Sequence, residues 1–375
     1  MIDVEESYPS ILNKVNWNFK EVKNNALHSI HPYPAKFIPN IPRALIKSLP
    51  IPKGSIILDP FCGSGVTLTE AQDAGIESIG VDLNPIACLL SRVKTNPLPP
   101  DFLTTAYNIA KDIKSFTGDV LIPAIPNLDH WFKKDVQRSL TLIINSINQI
   151  ENENVADALR FCVSSIIVKV SNQESDTRYA AINKSYTGND TLAFFLQKVV
   201  RLNEIKHATT YKAISTVLNK NSLNLNQNDL KKPIGLVITS PPYPNAYEYW
   251  LYHKYRMWWL GFDPISVKDQ EIGARAHYFK KNHQTEFDFI SQMENLFDFF
   301  SKSCIKDGFV TFIIGRSKIH GRIIENEKII KDAGEKFGFT HVDSIERTIN
   351  SSRKSFNLSH ARIKQEHLVV LQKNY

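Results

Sequence analysis

Cysteine is scarce in this chain. Its 375 residues include four, at positions 62, 88, 162 and 304. They are too widely spaced for a disulfide scaffold, and no Cys-x-x-Cys pair marks a zinc site. Such a chain suits a reducing compartment, so a cytoplasmic location is expected. Long apolar runs are also missing. No stretch approaches the ~18 to 20 residues that span a bilayer, and no membrane association is expected. The opening residues, MIDVEESYPS, are acidic and polar and do not read as a secretory signal. Internal repeats are absent. A hydrophobic fraction of 42% and a charged fraction of 22% exclude a disordered or collagen-like chain. His253 and His277 fall in no recognisable ligand spacing, so no metal is expected. The one excess is positive charge, 45 Lys and Arg against 38 Asp and Glu, a net +7. That permits a polyanionic partner without requiring one.

What is present is an α/β rhythm in two parts. The segment HPYPAKFIPNIP (31–42) carries prolines at 32, 34, 39 and 42. They remove backbone donors and restrict their neighbours, which predicts an extended loop leading into a short helix at 42–48. SIILD (55–59) reads as a buried strand, PFCGSG as a tight turn, and VTLTEAQDAG as a helix. ESIGVD (77–82) reads as a second strand and NPIACLLSRVK as a second helix. This βαβα opening implies a parallel sheet. From 101 to 217 apolar residues recur at helical spacing with few strand signals, which predicts a helical insertion. The strand rhythm resumes at about 214 and continues through IGLVITSPPY (234–243) and GFVTFIIG (308–315). The last two strand-like runs, 341–349 and 366–373, are separated by only about 16 residues. That is too short for a helical crossover and predicts an antiparallel pair. The expected division is a split catalytic domain, 1–100 with 218–375, around a helical insertion at 101–217.

Two constellations carry chemistry. DPFCGSG (59–65) lies between a strand and a helix, where Gly63 and Gly65 allow a tight turn and close approach of a ligand. Asp82 ends the next strand, the position from which a carboxylate holds ribose hydroxyls. A dinucleotide site favours a third glycine, but position 68 is Leu68. The upstream acid, Asp59, suits a ligand with an ammonium group and no phosphate. S-adenosylmethionine (SAM) fits that description. An ordinary glycine turn in another α/β protein is the alternative. The second constellation is ITSPPY (238–243). Two prolines after a strand make a rigid corner whose carbonyls face no competing N–H. Such a corner can accept hydrogen bonds from an exocyclic amino group. Ser240 offers a further acceptor, and Tyr243 a flat face for stacking on a base.

With these motifs assembled, the chain resembles the amino-methylating DNA methyltransferases, which act on N4 of cytosine or N6 of adenine. HPYPAKF (31–37) resembles the family's N-terminal SAM motif, DPFCGSG its glycine motif, VDLNP (81–85) its ribose motif, and TSPPY (239–243) its catalytic motif. The resemblance implies a Rossmann-like SAM-dependent methyltransferase fold, mostly a parallel sheet with a reversed last strand. It implies a catalytic corner of Ser240, Pro241, Pro242 and Tyr243. It also implies SAM contacts from Tyr33, Lys36, Phe37, Asp59, Pro60, Phe61, Gly63, Gly65, Thr67, Asp82, Leu83 and Asn84. Where family members often carry an acid for the SAM adenine, this chain reads NKNSLNL, leaving Asn221 or Ser222 to substitute. Ser-Pro-Pro-Tyr is the version typical of cytosine-N4 enzymes. The implied reaction is direct methyl transfer to a cytosine flipped from double-stranded DNA, in a setting with a cognate restriction endonuclease. Carbon-5 cytosine enzymes need a cysteine after a proline, and no Pro-Cys pair occurs. An adenine-N6 enzyme, an RNA base methyltransferase and an inactive SAM- or DNA-binding relative are the alternatives.

The charge is unevenly spread. Residues 1–100 hold nine basic and nine acidic side chains, and 101–217 hold 13 and 12. The remaining segment therefore carries almost the whole excess, and 345–364 alone has five basic groups against one acid. Arg316 and Lys318 in IGRSKIHGR, with Arg353, Lys354 and Arg362 nearer the end, are the expected DNA contacts.

Overall fold

The computed structural model describes residues 7–19, 26–34, 37–176, 178–245, 247–281, 283–348 and 365–375. Of the expected site residues, Lys36, Arg353, Lys354 and Arg362 lie outside them.

Buried apolar runs build the strands. β1 (Ile56–Asp59), β2 (Ser78–Asp82), β3 (Ser215–Asn219), β4 (Ile234–Thr239) and β5 (Cys304–Gly315) are mutually parallel. A small separate hairpin, β6 (Ser317–Ile319) and β7 (Arg322–Ile324), follows β5. It turns on His320 and Gly321, both at positive φ. Three-residue strands give too little alternation to read, so the sequence alone does not disclose this hairpin within IGRSKIHGR. β8 (Phe339–Thr348) and β9 (Gln365–Lys373) complete the main sheet, whose order is β3-β2-β1-β4-β5-β9-β8. β9 enters between β5 and β8 and is antiparallel to both. This is the expected α/β architecture with a reversed last strand.

The alternation of strand side chains divides the core into two faces. Ile56, Leu58 and Val237 pack with Phe297 and Phe300 on one face. Ile57, Leu236 and Ile238 pack with Ile41 and Leu45 on the other. The helices that matter for the site are α1 (Asn40–Ser48), α2 (Val66–Asp73), α3 (Pro85–Thr95), α4 (Phe102–Ser115), α5 (Lys134–Ile147), α6 (Glu153–Val170), α7 (Gly188–His207), α8 (Tyr249–Trp259), α9 (Glu286–Ser303) and α10 (Asn326–Lys336). α4 to α7 fall in the stretch read as helical. They share one apolar cluster with Leu89 and Leu90 of α3 and with Tyr255, Met257 and Trp259 of α8. Arg256 of α8 is almost wholly buried. Its Nε donates to the Ser164 carbonyl of α6 at 3.0 Å, and its Nη2 pairs with Asp176. His31 meets the Ser164 hydroxyl at 3.1 Å. The helical stretch thus braces both the HPYPAKF segment and the helix that follows the Pro-Pro corner. No described helix is long and apolar enough to cross a membrane.

Candidate active site

The strand order reverses between β1 and β4, and in open α/β sheets ligands bind outside the carboxyl ends of strands at such a point. Here the loops leaving β1, β2 and β4 enclose a cavity of about 890 Å³, counted to its open mouth.

Its floor is the glycine turn, which Asp82 holds shut. Asp82 Oδ2 accepts from the Gly63 N–H at 2.9 Å and Oδ1 from the Asn84 N–H at 2.8 Å. Gly65, at φ +77°, starts α2. A Cβ there would lie 2.7 Å from Ser91 Oγ, so this turn admits only glycine. Beneath it, the buried Lys94 donates to the Ser64 carbonyl at 2.6 Å. Asp59 Oδ1 accepts from the Phe61 N–H at 3.1 Å and from the Thr239 hydroxyl at 2.8 Å, which ties the floor to β4. Burial pushes the carboxyls of both Asp59 and Asp82 up to about 6, against the opposing effect of these donors. Tyr33 stands over Gly63, its hydroxyl 3.3 Å from where a Cβ would be, and stacks on His253 at 5.0 Å.

Most of the expected SAM contacts meet here. Tyr33, Phe37, Asp59, Phe61, Gly63, Asp82, Leu83, Asn84 and Ser222 line the cavity, and so does Asn221. Pro60, Gly65 and Thr67 do not line it. The Pro60 carbonyl accepts from the Ser222 hydroxyl, Gly65 is pressed against Ser91, and Thr67 is fully buried in the first turn of α2. These three shape the turn from behind.

Of the corner, Ser240 and Pro242 line the cavity, whereas Pro241 is buried. Tyr243 differs from expectation. Its ring is buried in the apolar cluster on one face of the sheet, away from the cavity lining, and its hydroxyl donates to Glu366 Oε1 at 3.3 Å. Glu366 Oε2 in turn receives Arg347 Nη1 at 2.5 Å. This paired carboxylate draws the phenol inward, so in this structure Tyr243 offers no open face for stacking. Besides Tyr33, Phe37 and Phe61, the cavity is lined by a fourth aromatic side chain, Tyr249, at the start of α8.

Sequence reasoning missed the opposite wall, Val267 and Gln270–Ile272. Glu271 is its only charged member. It is buried, and its oxygens accept from the Tyr249 N–H at 2.7 Å and the Trp250 N–H at 2.8 Å, capping α8 from outside the helix. Burial pushes its carboxyl up to about 8 despite these bonds. Two residues on, Gly273 adopts φ +72° against the corner itself. A Cβ there would lie 2.5 Å from the Tyr243 carbonyl oxygen and 3.1 Å from that of Pro242. The Gly273 carbonyl accepts from the Asn245 N–H at 3.0 Å. The only signal in the sequence was an acid two residues before a glycine, which is too common to single out.

Arg316 and Lys318 are exposed, but Arg316 Nε is paired with Glu325 at 2.9 Å. The Lys318 carbonyl accepts from Asn245 Nδ2 at 2.7 Å, which pins the β6–β7 hairpin beside the corner. The described lining contains three carboxylates and no lysine, arginine or histidine. These carboxylates fit a ligand bearing hydroxyls and a cationic group, and no described cationic side chain lines the cavity for a phosphate.

A family model for DNA methylases, N6_N4_Mtase, matches residues 5–92, which include the glycine turn and Asp82. The type II methyltransferase M.MvaI of Kocuria varians is 30% identical over 256 residues, 62% of this chain and 55% of its own. The chain is thus similar to N6/N4 DNA methylases over residues 5–92 and to a type II methyltransferase over nearly two thirds of its length. Two further relatives agree with this likeness. The type II methyltransferase M.BsoBI of Geobacillus stearothermophilus is 23% identical over 295 residues, 67% of this chain and 56% of its own. M.MjaII of Methanocaldococcus jannaschii is 39% identical over 87 residues, 22% of this chain and 16% of its own. The chain spans little more than half the length of M.MvaI and M.BsoBI. The family model ends well before the corner at 240–243.

Proposed function

We propose that this chain transfers a methyl group from SAM to the exocyclic N4 of a cytosine flipped out of duplex DNA, as the modification partner of a restriction endonuclease. One observation carries the reading: Ser240 and Pro242 open into the same cavity as Asp59 and Asp82. A methyl acceptor at the corner and a methyl donor on the glycine turn would share one enclosure. Serine at 240, rather than aspartate, favours cytosine N4 over adenine N6.

SAM supplies an activated methyl group on a sulfonium. The remaining work falls to this chain. Asp82 presents the glycine turn and faces ribose hydroxyls, Asp59 faces the ammonium end, and Asn221 and Ser222 border the adenine. At the corner, the Ser240 hydroxyl and the Pro241 carbonyl accept from the amino N–H groups. These bonds favour a more tetrahedral nitrogen, whose lone pair is less delocalised into the ring, and aim it at the methyl group. Positioning of this kind supplies much of the acceleration. Tyr249 takes the stacking role first expected of Tyr243.

The test is incubation with methyl-labelled SAM and mixed-sequence duplex DNA, or RNA of the same sequence, followed by digestion to nucleosides. Label in N4-methylcytosine from DNA is expected. Label in N6-methyladenine would move the target to the other amino group, and label in no DNA base would sink the reading. Binding to DNA should also weaken steeply with salt, because phosphate neutralisation releases counterions. Replacing both Arg353 and Lys354 by alanine should lower the slope of log Kd against log salt by about 2. An unchanged slope would remove that segment from the interface.

A further inference from the structure

We propose that Glu271 makes the cavity select the sulfonium methyl donor over the thioether product left after transfer. The proposal rests on the SAM reading above and adds a residue to it. Methyl transfer forms an N–C bond and breaks the S–C bond, whose electron pair stays on sulfur. The positive charge passes to the amino nitrogen and leaves as a proton, so S-adenosylhomocysteine (SAH) differs from SAM by one methyl and one positive charge at sulfur. A wall that senses this difference needs a group near sulfur that can carry a negative charge and no cation to cancel it. The described lining meets both conditions, with three carboxylates and no Lys, Arg or His.

Position separates Glu271 from the other two. Asp59 and Asp82 end β1 and β2 and are engaged with the glycine turn. Glu271 lies two residues before Gly273, the residue pressed against the carbonyls of Pro242 and Tyr243. Since the methyl group must be delivered at that corner, sulfur lies on the Glu271 side. The two N–H donors of α8 fix the carboxylate in place and occupy one acceptor site on each oxygen. A carboxylate has about four such sites, so the others remain for the cavity. Burial weakens solvent screening of the charge. It also pushes the carboxyl up to about 8, which favours the protonated form in the empty cavity at neutral pH; a sulfonium beside it favours the carboxylate and draws that proton off, whereas a thioether does not.

The experiment is titration calorimetry of the full chain with SAM, SAH and sinefungin, which carries an ammonium-bearing carbon in place of the sulfonium. Wild type is expected to bind SAM and sinefungin about 10-fold more tightly than SAH. In Glu271→Gln, which keeps the shape and one acceptor oxygen, that preference should fall to within about 2-fold, with SAH affinity nearly unchanged. Equal affinity of wild type for SAM and SAH would overturn the proposal whether or not the variant folds. An equal loss for all three ligands in Glu271→Gln would also overturn it, assigning Glu271 to holding α8. If wild type bound none of them, the SAM reading itself would fail.

Discussion

Replacing Gly273 by alanine is expected to lower methyl transfer about 100-fold or more while leaving SAM affinity within about 3-fold. Two costs combine at this position. The left-handed backbone at φ +72° disfavours any L side chain by about 1 kcal/mol. The second cost is steric: a Cβ 2.5 Å from the Tyr243 carbonyl oxygen and 2.8 Å from its carbon cannot be accommodated without moving backbone. The backbone that must move is the corner. A displacement of about 1 Å at a reacting group can cost about 100-fold in rate, and the glycine turn that would hold SAM lies on other strands. Gly261 is the control. It has φ +81° but open space around its Cβ position, so Gly261→Ala carries the same backbone penalty without the collision. It should lose a little stability and keep its turnover. Single-turnover rates and SAM binding, measured on both variants, separate the two effects. Equal activity in Gly273→Ala and Gly261→Ala would show that the corner's position is not set from this side.

The second large effect is expected at Asp82. Each of its oxygens holds a backbone N–H, one in the glycine turn and one at the start of α3. Hydrogen bonds to a charged group are worth about 1.5 to 3 kcal/mol each, and Asp82→Ala leaves both donors without their partner. SAM affinity should fall by about 100-fold, because the turn loosens and no carboxylate remains to face the ribose. Asp82→Asn keeps an acceptor oxygen for one of the two donors and should fall by about 10-fold. Calorimetric Kd values for the three proteins give the comparison. Unchanged affinity in Asp82→Ala would move the SAM site away from this cavity.

Both residues bear on what a sequence can disclose. The place of Asp82 beside the glycine turn was legible because it depends on local order, a carboxylate at a strand end one βα unit after that turn. The same holds for Gly63, Gly65 and the placement of Ser240 and Pro242 after β4. The reversed last strand was legible from the short connection before it. Gly273 and Glu271 were not legible, because their roles depend on what the chain meets after a turn and two short helices. Glu271 caps α8 from 22 residues downstream, and no local pattern encodes that distance. Tyr243 failed for a related reason. Its partner Glu366 is 123 residues away, so the motif predicted the ring's identity but not its direction. The hairpin that carries Lys318 and follows Arg316 was hidden by strands too short to show a period.

The bracing of α8 also bears on how this protein can be taken apart. Arg256 is buried only because α6 and Asp176 surround it, and His31 is buried against the same turn of α6. Trimming the chain to a minimal catalytic piece by cutting out the helical stretch would strand a guanidinium and an imidazole on a newly bared apolar surface. Removing the stretch is therefore expected to destabilise what remains, and fusions or chimaeras built on this chain should join it elsewhere.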